Sequence, residues 1–545
     1  MRLALIVTLA ALALPAATSS APDAPLLLGP ICHGEPPPSI AGPHRLVMLS
    51  GMGNDHMAAD TKSAEAQRWF DYGLALARSF EHGDAVLAFQ RAEAADPQCS
   101  LCVWGEAWAS GPNINFGPPP SENPTLLALA KRAQSLAGPN ASGPIKPLEA
   151  ALVDRYGAGG DAAYARDLDA LQRARPDDVE VAIFDAEAWL IMENSHDDPS
   201  GPTRAVQVLE PLLPANPDSS GLIHFYVHAT EDAGIPERAA PYAGKLALLA
   251  PSASHMVHMP SHTWYRLGRY EDAARANLAA LDADLAYAEK TDAPTPLGRL
   301  TYHFHDIQFG LGAAMLAGDG KIALKLVRQF DQDFPAPGAY NSRDEGAAAQ
   351  ALAAFGRFAS PKAVLAEPET APGKPYLAAM RHYARGEAHL RLGNADLARA
   401  EAALVVAPAG GSVTPLHATL TLIAQLTLQG DVALLDHQPD AAVDAFTKAA
   451  TLQEARLARN VDPPAWWYPV RRSLAAALLA KGDAAGAVRE ATSVLQTWKL
   501  DPVTLAIRAQ AERKLGQAAA GPDEAAALSG WRGGAAQLRA WAQRA

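Results

Sequence analysis

The chain has 545 residues, 49% hydrophobic and 19% charged, with a formal net charge of −13. That length exceeds one compact domain while the apolar content suffices for a large core, so an array or several domains is expected. The acidic balance argues against a nucleic-acid surface and an anionic membrane face, and three cysteines are too few for a disulfide-built scaffold.

In chain order, "MRLALIVTLAALALPAATSSAPDAP" carries Arg2, an apolar run from Leu3 to Leu14 and small residues around Ala17 to Ala21. This predicts a secretory signal peptide over 1–21, because the run is too short to span a bilayer. The mature protein is expected to be exported, periplasmic and not membrane-spanning. Residues 22–62 are expected to lie as an extended arm over the first hairpins, since "LVMLSGM" is too apolar for a free tail. "DPQCSLCVWG" places Cys99 and Cys102 at a helix start. A bridge within that pair, a bridge from Cys32 to either one, and buried thiols are all open. "ICHGEP" lacks the second cysteine of a haem-attachment motif, so no haem is expected.

"WFDYGLALARSFEHGDAVLAFQRAEAADP" sets Trp69, Tyr72, Gly73, Leu76, Ala85, Phe89, Ala92 and Pro97 at spacings that resemble one tetratricopeptide repeat. Trp69, Gly73 and Leu76 fall on one helical stripe. Ala85, Phe89 and Ala92 form the facing stripe of the next helix. Units of 34 residues follow at about 186–219, 220–253 and 254–287, with Ala205, Ala239 and Ala273 in step; the frame resumes after "KTDAPTPLGRL" at Gly318 and Ala323. "RLGNADLA", "AAVDAFTKAA" and "LLAKGDAAGA" mark later units, and β-branched alternation never persists for a full strand. The expected fold is an all-α, tetratricopeptide-like solenoid of helical hairpins, with one array over 63–330 and a second over 331–545. Pro- and Gly-rich stretches, among them "GPNINFGPPPSENP" and "NVDPPAWWYP", mark longer loops.

Histidine recurs within this frame. "HFYVHATEDAG" and "HMPSHTWYRLG" both read His, three residues, His, five residues, Gly, and His224/His258 and His228/His262 are each 34 residues apart. Ile223, Val227 and Thr230 form the packing stripe of the 220–253 unit, matching Trp69, Gly73 and Leu76 in the first repeat. His224, His228 and Glu231 follow each by one residue, about 100° around the helix. Imidazoles at i and i+4 point at one ion, and side-by-side helices let two such pairs face one ion or a close ion pair. The candidate metal ligands are His224, His228, Glu231, His255, His258, His262 and His305. Glu187, Asp306, Asn113, Asn115 and Arg472 are candidate groove contacts. Imidazole with carboxylate suits zinc, iron, nickel or copper, and Met256 and Met259 would favour copper if they were ligands rather than packing residues. His82, in an expected turn, reads as solvated.

Other chemistries find no motif. GxSxG, the Walker-type GxxxxGK[ST] and a Rossmann GxGxxG after a strand are absent, and Phe225 and Met259 stand where a zincin needs Glu. No nucleotide is therefore expected. "WGEAWASGPNIN", "GLIHFYVHATED", "HMPSHTWYRLGRYEDAARAN" and "PPAWWYPVRRSLAAALL" together resemble a group of exported bacterial tetratricopeptide-repeat proteins from about residue 55 onward. The resemblance implies fold and block positions, with Glu231 at the group's acidic position. Two functions remain open. One is a transition-metal site in the concave groove, with or without catalysis. The other is a scaffold whose groove takes a peptide, protein or small molecule. Histidine concentrated in few units favours a site over a track.

Overall fold

The computed structural model describes residues 45–115, 122–138, 143–192, 200–293, 297, 300, 302–368, 373–406, 413–458 and 462–544. The expected signal peptide at 1–21, residues 22–44 of the expected arm with Cys32, and parts of several expected loops (116–121, 369–372, 459–461) lie outside them. Among the described residues the elements are helices, without β-strand, running from Ala64–Arg78 to Ala535–Arg544 as antiparallel pairs. The chain is an all-α solenoid of tetratricopeptide-like hairpins. In its first hairpin Phe89 fills the space left by Gly73 and Gly105, where a Cβ would stand under 3 Å from the Phe89 ring. That close approach is what the small residues of the repeat permit.

The hairpin periodicity bends where proline intervenes. Pro236 and Pro241 break the second half of the 220–253 unit into the short helices Ala240–Ala243 and Leu246–Leu249. The next unit compensates with one long helix, Tyr270–Thr291. Residues 45–62 run extended across the first helices. There Asp55 accepts from Ser220 Oγ (3.0 Å), Gly221 N (3.1 Å) and Arg78 Nη1 (2.8 Å), so a buried guanidinium is neutralised. The pair Cys99 and Cys102 forms a disulfide at the N-terminus of helix Ser100–Ala109.

The superhelix closes on itself. Tyr270 donates its hydroxyl to the Lys499 carbonyl at 3.0 Å. Gly268, at φ 77°, admits that same carbonyl where a Cβ would collide. Arg532 N donates to the Ala317 carbonyl at 2.8 Å, its guanidinium pairs with Glu271, and Trp531 lies against Gly318. At the other end Tyr287 bonds Asp84, and Asn115 Nδ2 donates to the Tyr302 hydroxyl at 2.6 Å. Both ends of the array thus wrap the units around 254–317. Helix Pro415–Leu435 has the length and hydropathy of a membrane span, but most of it is buried against its neighbours, as a core helix would be.

Candidate metal centre

Three helices carry the histidines, each terminated the same way. Ser219 caps helix Ser220–Asp232 by accepting from Leu222 N. The chain then turns at Gly234 (φ 73°), and the following units turn at Gly268 (φ 77°) and Gly318 (φ 66°). These glycines set the register: 268 − 234 = 34 and 318 − 268 = 50, the second step holding the insertion. In that register Gly221, His255 and His305 are equivalent, as are His224, His258 and Gln308, and His228, His262 and Gly312. Each interface between units combines an HxxxH pair from one helix with a single histidine from the next. Two interfaces have all three imidazoles. A third would meet Gln308 and Gly312, and the row ends there.

The two resulting triads are His224, His228, His255 and His258, His262, His305, with the ligating atoms of each within 4.8 Å of one another. In the first, His224 Nε2 lies 3.0 Å from His255 Nε2 and 3.1 Å from His228 Nε2. In the second, His258 Nε2 lies 2.8 Å from His262 Nε2. Ring centroids correspond closely: His224–His255 and His258–His305 are 4.9 and 4.8 Å apart, and His228–His255 and His262–His305 are both 6.1 Å apart. Between triads, His255–His258 and His228–His262 are 5.7 and 5.8 Å apart. Pro260 interrupts the helix between His258 and His262 by withholding its N–H. The chain passes the kink with an i to i−3 bond, His262 N to the Met259 carbonyl at 3.2 Å.

Outer contacts decide which nitrogens carry protons. Asn277 Nδ2 donates to the Ala273 carbonyl at 2.8 Å, which turns its Oδ1 toward His258 Nδ1 at 2.6 Å. His262 Nδ1 is 2.6 Å from Glu231 Oε2, and Arg266 Nε donates to Glu231 Oε1 at 2.7 Å. Both Nδ1 atoms therefore donate, and as neutral rings both Nε2 atoms present lone pairs to each other across 2.8 Å. Only a cation between them, a proton or a metal ion, makes that contact favourable. Burial pushes His224 down to about 3 and His305 to about 4, and carries His255 and His258 well below the ordinary range. His262 is the exception. Burial opposes its charge, but Asp462 and Glu231 hold it up to about 9. Burial would likewise raise Glu231, yet His262 and Arg266 keep it well below the usual carboxylate range.

The expectation of a groove surface is revised by depth: His224, His258 and His262 are 0% exposed and His228 is 7% exposed. The closed superhelix covers them. Phe80 lies 4.7 Å from the His224 ring and 4.5 Å from that of His255, in a left-handed conformation (φ 62°) that a bulky residue adopts only under constraint. Phe309 backs the second triad at 5.3 Å from His258 and 5.0 Å from His262. Asp462 Oδ1 stands 3.5 Å from His262 Nδ1 and 3.9 Å from His305 Nε2.

The remaining candidates sort by contact. Glu231 supports His262 from behind. Asp306 lies 3.1 Å from His258 Nδ1 and accepts from Ser254 Oγ at 3.1 Å, with burial raising its pKa well above the usual carboxylate value. Asn115 reaches the cluster through Tyr302, whose ring lies 4.7 Å from His255, and Asn113 accepts from Asn115 N. Glu187 bonds Trp108 Nε1 instead of a histidine, and burial lifts it to about 7. Arg472 faces no groove: it is buried, 3.1 Å from Asp501, because the aromatic turn at 466–468 packs inward over it. Met256 and Met259 are core residues, and His82 starts helix His82–Ala95 beside Phe80 instead of lying in a turn. Sequence reasoning missed Phe80, Phe309, Tyr302, Asn277 and Asp462. Asn277 alone left a signal, an amide on the alanine stripe of Ala273 and Ala280.

No protein-family model matches the chain, and no curated protein matches it in sequence. Among solved structures, the human IFIT1 dimer with m7Gppp-AAAA aligns at 14% identity over 86% of this chain and 91% of that one, with a TM-score of 0.30. Naa15/Naa10 bound to HypK-THB aligns at 12% identity over 88% and 74%, TM-score 0.25. The P58(IPK) TPR domain aligns at 10% identity over 83% and 99%, TM-score 0.22. The fold assignment rests on the helix pairs of the chain itself.

Proposed function

We propose that this chain is an exported, transition-metal-binding solenoid holding two ions, one at each of two adjacent repeat interfaces, with His224, His228 and His255 on the first and His258, His262 and His305 on the second. The observation that carries this reading is the pair of buried triads, in each of which three imidazole nitrogens lie within 4.8 Å of one another. Burial keeps His224, His255, His258 and His305 in the neutral form that metal binding requires, whereas His262, held up to about 9, releases a proton when an ion binds. Three imidazoles leave coordination positions for a further ligand, and an all-imidazole set suits copper, zinc, iron or nickel. A peptide-clamping groove needs accessible side chains, and these six are covered by the chain's own residues. The test is elemental analysis of protein purified from the periplasm without chelator, expecting two ions per chain. Absence of metal after both metal-replete expression and reconstitution overturns the proposal.

A further inference from the structure

We infer that the two ions are copper and form one centre that binds dioxygen between them, an inference that rests on the two-ion reading. The two triads adjoin. Across the boundary between them the rings of His255 and His258 are 5.7 Å apart and those of His228 and His262 are 5.8 Å apart. Within each triad the ring separations run from 4.8 to 6.1 Å, so these histidines are as near to the other triad as to parts of their own. Three imidazoles leave each ion an open position, and ions held by adjoining triads can share one small bridging ligand.

The surroundings select the ion and its guest. Phe80 and Phe225 lie 4.7 and 5.2 Å from His224, and Phe80 and Tyr302 lie 4.5 and 4.7 Å from His255. The carboxylates Glu231, Asp306 and Asp462 stand instead against the second triad, at His262, His258 and His305. An ion on the first triad is therefore buried among aromatic rings, where the cost of a charge grows as its square and a monovalent ion avoids about three quarters of a dication's penalty. Among the metals that suit imidazole, copper is the one with an accessible monovalent state. The six imidazoles are covered by the chain's own side chains, so a small uncharged guest enters without carrying further charge into the interior. Dioxygen is such a guest, and it accepts the electrons that monovalent copper has to give. In the step each copper loses one electron and dioxygen gains both. Copper–oxygen bonds form, the oxygen–oxygen bond falls from double to single, and no proton moves. The centre carries the same net charge before and after, so a low-dielectric surround does not oppose the step.

The experiment loads the full chain with copper(I) under nitrogen and then admits dioxygen, reading gas uptake with an oxygen electrode and unpaired spins by electron paramagnetic resonance. One dioxygen should be taken up for every two coppers. The copper(II) spin signal should be lost, because the unpaired electrons of two ions joined by one bridge couple. It should return when acid releases the copper. His228→Ala and His262→Ala, each left with one copper, should lose the two-to-one uptake and show on oxidation the spin signal of an isolated copper(II) ion. The wild-type uptake and spin signal decide the matter even where a variant fails to fold. Two bound coppers that take up no dioxygen, an uptake per copper equal in wild type and single variants, or the signal of two isolated copper(II) ions overturns the inference and leaves the two-ion reading standing. Uptake of two zinc, iron or nickel ions with none of copper has the same consequence. A chain that binds no metal overturns both.

Discussion

Removing one imidazole from each triad in turn tests whether the centre is two sites. His228 contacts its own triad through His224, and His262 contacts the second through His258, so His228→Ala should empty the first site and His262→Ala the second. Structural zinc sites bind with about 10–16 kcal/mol over four ligands, so each ligand carries about 2.5–4 kcal/mol. At about 1.4 kcal/mol per decade, losing one ligand weakens binding by about 10²–10³-fold. Equilibrium dialysis against a metal buffer set between the wild-type and weakened affinities, followed by elemental analysis, should read two ions for the wild type. Each single variant should hold one and the double variant none. His56→Ala, a solvent-exposed imidazole beside Asp71, should keep two. The helices should survive, because neither ring belongs to the packing stripe of Ile223, Val227 and Thr230; circular dichroism checks this. A double variant that retains both ions refutes the ligand assignment. A single variant that loses both refutes the division by repeat interface.

Glu231→Gln, which removes the carboxylate behind His262 Nδ1, should weaken the second site about 10–100-fold and leave the first unchanged in the same dialysis. Arg472→Ala strands a buried Asp501 and should cost about 3–5 kcal/mol in urea unfolding, whereas adding Asp501→Asn to that variant should restore part of it. Asp185 is 0% exposed, and burial with Asp169 nearby raises its pKa from 3.8 to about 7. The folded state therefore holds its proton more tightly, so its stabilising effect is full below about pH 4 and lost as pH rises through about 7. Asp185→Asn should accordingly raise the melting temperature relative to wild type at pH 8 and not at pH 4. An equal shift at both values would sink that reasoning.

The sequence alone determined the solenoid, because a helical hairpin writes itself locally. Small residues recur at 73, 85 and 92, apolar stripes have helical period, and glycines stop the helices. It also gave the HxxxH pairs, whose members sit one turn apart on a single helix whatever surrounds them. Tertiary structure decided everything that depends on which helix lies beside which. His255 joins the first triad and His258 the second, although one turn of the same helix separates them, because each faces a different neighbouring unit. The burial of the cluster came from closure of the superhelix, through contacts such as Tyr270 with Lys499 that lie far apart in the chain. Phe80, Asn277 and Asp462 have no local signature of their role beyond the amide in an alanine stripe. Repeat periodicity specifies the step from one unit to the next, but small departures at Pro236, Pro260 and the 16-residue insertion accumulate. Only their sum brings residue 462 against residue 262, and no local pattern encodes a sum.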